Sequence, residues 1–477
     1  MFFASLYMNI SEIDSFFKGA FKDKRIDKRA NKLLSSIVEN SSVVINKACS
    51  TFSEKIGGYR MLNNERANET DIKDQVYKKC AEQISTDHVL CIEDTSEINY
   101  SGKEGRINTD DSEWGIVGNN KDTGVFCHPT LVVDAHSGIP LGFSSIKLWN
   151  RQRDKEDKNE RNYKILKIQD KESYRWIESA ELSKQNIPES TKITVIADRE
   201  SDIYEFLATV PNDRCDVLIR SSANRILETE EMRLHEKMCS LPIKHIYNIK
   251  VQGNHKRKNR EAKMELRYDS VEIKCPHNLK ADQPKSLTVS CVYVVENSET
   301  VPKGESPIEW CLLTTHEVES NEIAMLCVEW YKQRWYIEEV FRLIKSEGLK
   351  IESTLLESGA ALKKLIIFAL LGAWQIMMVK LSYDKSDISV PSKRVFTDPQ
   401  IEFLQILLKT VEGKTEKQKN PFDKDTLAWT SWIIARLAGW SGYKSQGPPG
   451  YITIRDGIQC FNAKYQVFEL LRDVYKE

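Results

Sequence analysis

Ile193-Thr-Val-Ile-Ala-Asp198 is the stretch that decides the architecture. It is largely apolar, rich in β-branched residues and not alternating, as expected of a strand buried on both faces in the middle of a helix-covered sheet. It ends on a carboxylate. Just downstream, Asp202–Leu207 opens a helix and Asp216-Val-Leu-Ile-Arg220 gives another strand. Upstream, His88-Val-Leu-Cys-Ile-Glu-Asp94 is a second apolar strand ending on a carboxylate. Gly124–Asp134 and Ile139–Leu148 are two more, joined by His136-Ser137-Gly138 as a hairpin turn. The charged stretch from Arg151 to Gln185 holds a helix around Lys171–Leu182. Three strands, a helix, then strand–helix–strand predicts an α/β fold with a mixed sheet.

Between about Glu228 and Thr315 the hydrophobic period switches to two, which predicts an inserted antiparallel sheet. The flanks read as helical. Residues from Ile10 to Lys79 form short helices, the first opened by a capping-box pattern at Ser11-Glu-Ile-Asp, with a break at Gly57-Gly58-Tyr59-Arg60 and a new start at Asn68. The chain is expected to be helical again from Ser320 to Tyr383, then over Asp398–Val411, Leu427–Gly439 and Ala463–Tyr475. Gly447-Pro-Pro-Gly450 makes a rigid turn before the last of these. The domains expected are residues 1–79 (helical), 80–383 (α/β, with the β insertion at about 228–315) and 384–477 (helical).

At 477 residues the chain exceeds one ordinary core. Its composition, 40% hydrophobic and 29% charged, is that of a soluble globular protein. No apolar run approaches a membrane span, and the first residues lack the basic and apolar regions of a signal peptide, so a cytoplasmic protein is expected, with Met8 an alternative start. None of the eleven cysteines pairs at Cys-x-x-Cys spacing, which reads as reduced packing thiols. Net charge is −1, so a polyanion would have to be met by local patches. Lys18, Lys22, Lys24, Arg25, Lys28, Arg29 and Lys32 form one such patch, and His255-Lys-Arg-Lys-Asn-Arg260 another; a solvated helix face and a hairpin tip are the plain alternatives.

The chemistry concentrates further on, in Tyr331-Lys-Gln-Arg-Trp-Tyr-Ile-Glu-Glu-Val-Phe-Arg-Leu-Ile-Lys345. Read as one helix, Tyr331, Arg334, Glu338, Arg342 and Lys345 fall within roughly 80°. Trp330, Ile337, Phe341 and Ile344 share the adjoining arc, which is built to pack. Ordinary surface ion pairs would produce the same polar stripe. A lone carboxylate among cations also suits a metal ligand beside a polyanion. Asp94 and Asp198, each closing an apolar strand, supply two further carboxylates, and strand ends facing a crevice are where open α/β sheets place function. All-carboxylate ligation suits Mg²⁺ or Mn²⁺, and a pair of such ions serves phosphodiester chemistry.

Asp94-Thr-Ser, Asp198-Arg-Glu-Ser-Asp-Ile-Tyr and Tyr331-x2-Arg334-x3-Glu338-x6-Lys345 together resemble the DDE transposases of the insertion-sequence-four family, with its Tyr-Arg-Glu-Lys signature. The resemblance covers nearly the whole chain and includes Trp149-Asn-Arg151 and the β insertion. It implies a ribonuclease-H-like mixed-sheet catalytic core with an inserted antiparallel β-sheet, plus helical N- and C-terminal domains. It also implies cut-and-paste transposition: strand nicking, hairpin formation and resolution, and joining of element ends to target DNA. By resemblance Asp94, Asp198 and Glu338 bind two Mg²⁺, for which Mn²⁺ can substitute. Tyr331, Arg334 and Lys345 hold DNA phosphates, with Arg342 beside them. Trp310 receives a flipped base and Trp335 lies near that pocket; a core tryptophan is the alternative for both. Arg220 and Arg225 contact end DNA, and Arg25, Lys28, Arg29, Tyr59 and Arg60 read the terminal inverted repeats. The partners implied are double-stranded DNA and a second copy of the chain, bound through the C-terminal domain, with no membrane. A nuclease and a catalytically idle DNA-binding regulator are the other readings of the same residues.

Overall fold

In the computed structural model the run at Ile193 becomes the middle member of three parallel strands, flanked on both sides by others equally apolar. The structure describes residues 15–107, 111–118, 121–152, 166–228, 231–253, 258–279, 282–345 and 348–474. In chain order, α1 (Lys24–Asn40), α2 (Ile45–Ala48), α3 (Phe52–Leu62) and α4 (Glu69–Gln83) come first. Strands β1 (His88–Glu93), β2 (Ser96–Asn99), β3 (Gly115–Val117), β4 (Asp122–Asp134) and β5 (Pro140–Trp149) follow. Then come α5 (Tyr174–Asn186), β6 (Lys192–Ala197), α6 (Tyr204–Thr209), β7 (Cys215–Arg220) and α7 (Leu234–Ser240). The antiparallel region holds β8 (His245–Val251), β9 (Arg260–Lys274), β10 (Ser286–Glu296) and β11 (Glu309–Thr314). Helices α8 (Asn321–Lys332), α9 (Trp335–Ile344), α10 (Gly359–Asp384), α11 (Asp398–Val411), α12 (Leu427–Leu437) and α13 (Tyr451–Val474) complete it. This is a mixed α/β core with inserted antiparallel strands and flanking helical regions. The described residues group into two compact units, one drawn from Met1–Thr86, Thr95–Lys155 and Ile337–Glu477, the other from Asp87–Asp94 and Glu156–Tyr336.

In the second unit the sheet order is β1-β6-β7-β11-β10-β9-β8. β1, β6 and β7 are parallel, with Ile92 opposite Ile196 and Ile196 opposite Leu218. Parallel neighbours need crossovers, supplied before β6 by α5 and before β7 by α6. Trp176, Ile177 and Ala180 of α5 are buried. From β7 onward pairing is antiparallel. Along β9 burial alternates, with Ala262, Met264, Leu266 and Tyr268 inside, as a sheet wet on one face requires.

The first unit is organised around α10. Contrary to the expectation that no apolar run approaches a membrane span, this helix is long and apolar enough to cross one by composition; its apolar window is entirely buried, so it is the core helix of a globular unit. It packs against α1, α3, α4, α12, α13 and β5. Two of its polar side chains reach backbone carbonyls: the Lys364 ammonium donates to the Leu62 and Asn64 carbonyls, and Trp374 Nε1 to the Pro140 carbonyl. β4 pairs with β2, β3 and β5. The hairpin expected between β4 and β5 forms, Asp134 Oδ1 accepting from the His136 and Ser137 amides at 2.8 and 2.9 Å and Gly138 taking φ +67.

Four further expectations need correction. Gly57-Gly58 does not break a helix. α3 runs through both, with Gly58 buried in it; a Cβ at Gly58 would meet Leu33 and Ile45 at 3.5 and 3.7 Å, ordinary van der Waals contact. The helix expected from Ser320 to Tyr383 is three helices with irregular chain between them. The last helix begins at Tyr451, directly after the Gly447–Gly450 turn. Arg260, counted in the second basic cluster, is not a solvated tip residue but opens β9. Its guanidinium binds Glu296 Oε1 at 2.8 Å and Glu305 Oε2 at 2.7 Å, with the Glu296 side chain fully buried. The capping-box pattern at Ser11 lies outside the described residues, as do residues 255–257 of the second basic cluster.

Arg260→Ala leaves Glu296 buried without its cation, and stability should fall by about 3 kcal/mol in urea unfolding. Burial pushes the Glu296 carboxyl up, but Arg260 and the Ile308 amide outweigh it and hold it below 4.5. The pair therefore contributes fully above that value and less as pH falls through the folded one, so the deficit should shrink under acid.

Candidate active site and nucleic-acid surfaces

The register of two strands brings the aspartates together. Ile92 pairs with Ile196, so Asp94 and Asp198, each two residues further on, leave the carboxyl ends of adjacent parallel strands side by side. Such strands run about 4.8 Å apart. Both aspartates are partly exposed. Asp198 caps the short turn Arg199–Ser201, its Oδ1 accepting from the Glu200 amide at 2.8 Å. Asp94 Oδ2 meets the Arg334 guanidinium at 3.2 Å.

Tyr331, Arg334, Arg220 and Trp310 gather around this pair within the second unit. Tyr331 closes α8 with its ring buried, edge-on to Trp310 at 5.4 Å. Burial pushes its phenol up to about 12, while Arg334, which also hydrogen-bonds it, and Arg220 pull it down and Asp198 pushes it up. The hydroxyl thus stands among two guanidiniums and a carboxylate and stays a neutral donor. Arg220 is held in place by donating to the Glu309 carbonyl at 2.7 Å. Burial and the neighbouring Arg199 and Arg334 lower its pKa, while Tyr331 and Glu309 oppose them. An arginine so placed still carries its charge at neutral pH.

Arg225, expected to face DNA, is instead used inside the fold. Its guanidinium grips Asp202, and the Asp202 side chain is fully buried. Asp202 also accepts from the Ser222 and Ala223 amides at 2.7 and 3.0 Å and from the Ser221 hydroxyl at 3.2 Å. One carboxylate four residues after Asp198 thereby shapes the loop that follows Arg220. Sequence reasoning quoted Asp202 within the Asp198 motif but gave it no role, since its partners lie some twenty residues away.

The polar stripe expected on a single helix is divided between two. α8 ends at Lys332, Gln333 and Arg334 form a turn, and α9 starts at Trp335. Tyr331 and Arg334 belong to the second unit, whereas Glu338 and Lys345 belong to the first. Glu338 sits in the first turn of α9, partly exposed, where a carboxylate also favours the helix dipole. Lys345 follows the end of α9. Its charge reaches the buried Cys127 thiol, which burial pushes up to about 12 and which Lys73 and Lys345 pull down. Arg342 pairs with Glu339 at 2.6 Å and lies 5.8 Å from the Tyr451 ring, an ordinary intrahelical arrangement. Trp335 is exposed. The packing arc behaves as read: Trp330, Ile337, Phe341 and Ile344 are all buried.

Among the described residues no group of three or more His, Cys, Asp or Glu side chains is gathered closely enough to hold a metal ion. The pair Asp94 and Asp198 offers carboxylate oxygen alone, in register at strand ends, and that donor chemistry fits a hard divalent cation.

The first basic patch forms a concave surface between α1 and α3. Arg25, Lys28, Arg29 and Lys32 line it from one side and Arg60 from the other, around a cavity of about 610 Å³. Phe52 borders the same cavity at 79% exposure, a residue sequence reasoning passed over because it opens a helix with little amphipathic pattern. Tyr59 lines a neighbouring cleft with Asn63, Asp111 and Leu355.

Asp202→Ala should cost about 3–5 kcal/mol, because it leaves Arg225 buried without its counter-ion. Asp202→Asn, which keeps hydrogen-bonding capacity but not charge, should cost less; chemical unfolding of both variants checks the order.

Comparison with protein families matches residues 169–374 to the transposase DDE domain, an interval containing Asp198, Arg220, Trp310, Tyr331, Arg334, Glu338 and Lys345. Residues 13–67 match the transposase DNA-binding domain and contain Arg25, Lys28, Arg29, Tyr59 and Arg60. The chain is thus an enzyme with a DDE transposase catalytic domain, preceded by a transposase DNA-binding domain.

Proposed function

We propose that the protein is a cut-and-paste DNA transposase of the insertion-sequence-four kind, with a ribonuclease-H-like core, working on DNA in the cytoplasm. The observation that carries this reading is the pair of in-register aspartates ringed by Tyr331, Arg334 and Arg220. Asp94, Asp198 and Glu338 would hold two Mg²⁺, or Mn²⁺ in their place. When bound, such ions lower the pKa of a ligated water and balance charge on the scissile phosphate. The chain's own residues do the rest. The Tyr331 hydroxyl donates to a phosphate oxygen, and its raised pKa keeps that proton in place. Arg334 and Arg220 offer guanidinium forks, which match phosphate geometry. Lys345 adds a point charge at the end of α9. Trp310, held edge-on by Tyr331, offers an indole for a base turned out of the duplex, as hairpin formation at a DNA end would require.

The basic hollow between α1 and α3 supports terminal-repeat recognition, because phosphate contacts need dense local charge. A dimer on paired ends is supported by α13, where Val467, Leu470, Leu471 and Val474 recur at helical spacing with 52–69% exposure. An apolar stripe of that spacing suits the same helix of a second copy.

The substrate to use is a duplex carrying the inverted repeats that bracket the coding sequence. Asp94→Ala, Asp198→Ala and Glu338→Ala should each abolish nicking in Mg²⁺ while leaving duplex binding within about twofold. Cleavage persisting in any of them would sink the assignment, and hydrolysis without joining of pre-cut ends would make the protein a nuclease. Leu470→Glu should shift the chain towards monomer in sedimentation and lower the yield of paired-end complexes.

A further inference from the structure

A part-buried polar chain in the second unit is left without a role by the active-site reading. Asp216 Oδ2 and His316 Nδ1 are 3.3 Å apart, His316 Nε2 and Thr194 Oγ1 2.8 Å, and Thr194 Oγ1 and His88 Nε2 2.8 Å. Thr315 donates to the second Asp216 oxygen at 2.7 Å. Thr194 is fully buried in β6, four residues before Asp198. With both imidazoles neutral, one proton arrangement satisfies every atom. The Asp216 carboxylate, 3.3 Å away, favours the His316 tautomer with its proton on Nδ1, which leaves Nε2 to accept from the Thr194 hydroxyl; that oxygen in turn accepts from His88 Nε2. The geometry resembles a nucleophile–base–acid triad, but a hydroxyl with no exposure cannot meet a substrate.

The two imidazoles instead seat an indole. Trp330 of α8 lies 4.9 Å from the His88 ring, perpendicular to it, and 5.2 Å from the His316 ring. Tyr331 is the next residue and Arg334 follows in the turn. We infer that Asp216, His316, Thr194 and His88 are positioning residues: their chain of one charge contact and two hydrogen bonds fixes the seat of Trp330 and thereby sets Tyr331 and Arg334 over Asp198, Asp94 and Arg220. This rests on the transposase reading only for its catalytic consequence.

The seat is sensitive to pH. Burial pushes the His316 imidazole below its ordinary 6.5, Asp216 draws it up and Lys192 pushes it down. The charged and titratable groups facing the chain are Asp216 on β7, Lys192 on β6, His88 on β1 and the Cys327 thiol on α8, which feels Asp216. Protonation at His316 Nε2 turns an acceptor into a donor, so the Thr194 hydroxyl can no longer donate to it and must turn its proton elsewhere. The lowered pKa means the chain is intact at neutral pH and breaks as pH falls below 6.5.

The test uses the full chain labelled with 5-fluorotryptophan, the Trp330 and Trp310 lines being assigned with Trp330→Phe and Trp310→Phe. Thr194→Val keeps the shape and deletes the hydroxyl. It should move the lines of both Trp330 and Trp310, the latter through Tyr331, and Thr194→Ser should restore them. On the inverted-repeat duplex, Thr194→Val should nick about tenfold more slowly with affinity within about twofold of wild type. His316→Gln, which keeps an acceptor that does not titrate, should fold if Thr194→Val does not, and should abolish the movement of the Trp330 line between pH 8 and pH 5. Unmoved tryptophan lines in Thr194→Val, or a pH response surviving in His316→Gln, would overturn the inference. Failure of the wild-type chain to nick would overturn the transposase reading alone, since the fluorine lines report the seat without it.

Discussion

Ile92 facing Ile196 across two parallel strands is the pairing on which the chemistry depends, for it lets Asp94 and Asp198 leave their strands at the same level. The residues that set this register are not the acids. Val89, Leu90, Cys91 and Ile92 on β1, and Ile193, Val195 and Ile196 on β6, are buried. A slip of one residue would turn one strand's whole side-chain set to the opposite face. Placement of the two carboxylates is therefore inherited from hydrophobic packing, which is why a site so rich in charge can be held without contacts between its own like-charged members.

The cations near these acids are steadied from behind. Arg220 rests on the Glu309 carbonyl, and the loop after it is gathered by the buried pair Asp202 and Arg225. Tyr331 lies against Trp310. Each of these supports is neutral or internally compensated, so it adds order without adding net charge to the surface that would face a polyanion. The Asp216–His316–Thr194–His88 chain extends the same arrangement to the far side of Trp330.

The strands and the β insertion were legible because two-sided and one-sided burial leave different periods in sequence. Asp94 and Asp198 were legible as strand ends, but their adjacency was not, since register is a property of pairs. The turn at Gln333–Arg334 carries neither glycine nor proline, so nothing local announces it, and the single-helix projection that united Tyr331 with Glu338 does not survive. Gly57-Gly58 misled in the opposite sense: two glycines in a row suggest a break, yet α3 continues through both. Arg225 resembled a DNA contact and Arg260 a member of a solvated basic patch because their carboxylate partners, Asp202 and Glu296, are distant along the chain. A basic residue's destination depends on whether a buried acid meets it, and composition near the residue does not say.

α10 carries a consequence for how the molecule is made. Its apolar surface is covered by α1, α3, α4 and β5, which precede it, and by α12 and α13, which follow. While the chain emerges from the ribosome, the second group does not yet exist, and a segment apolar enough to pass for a membrane span is only half covered. During that interval the nascent protein depends on chaperone capture or on early docking of its amino-terminal helices. Slow elongation between α10 and α13 would prolong this exposure and favour aggregation before the fold can close.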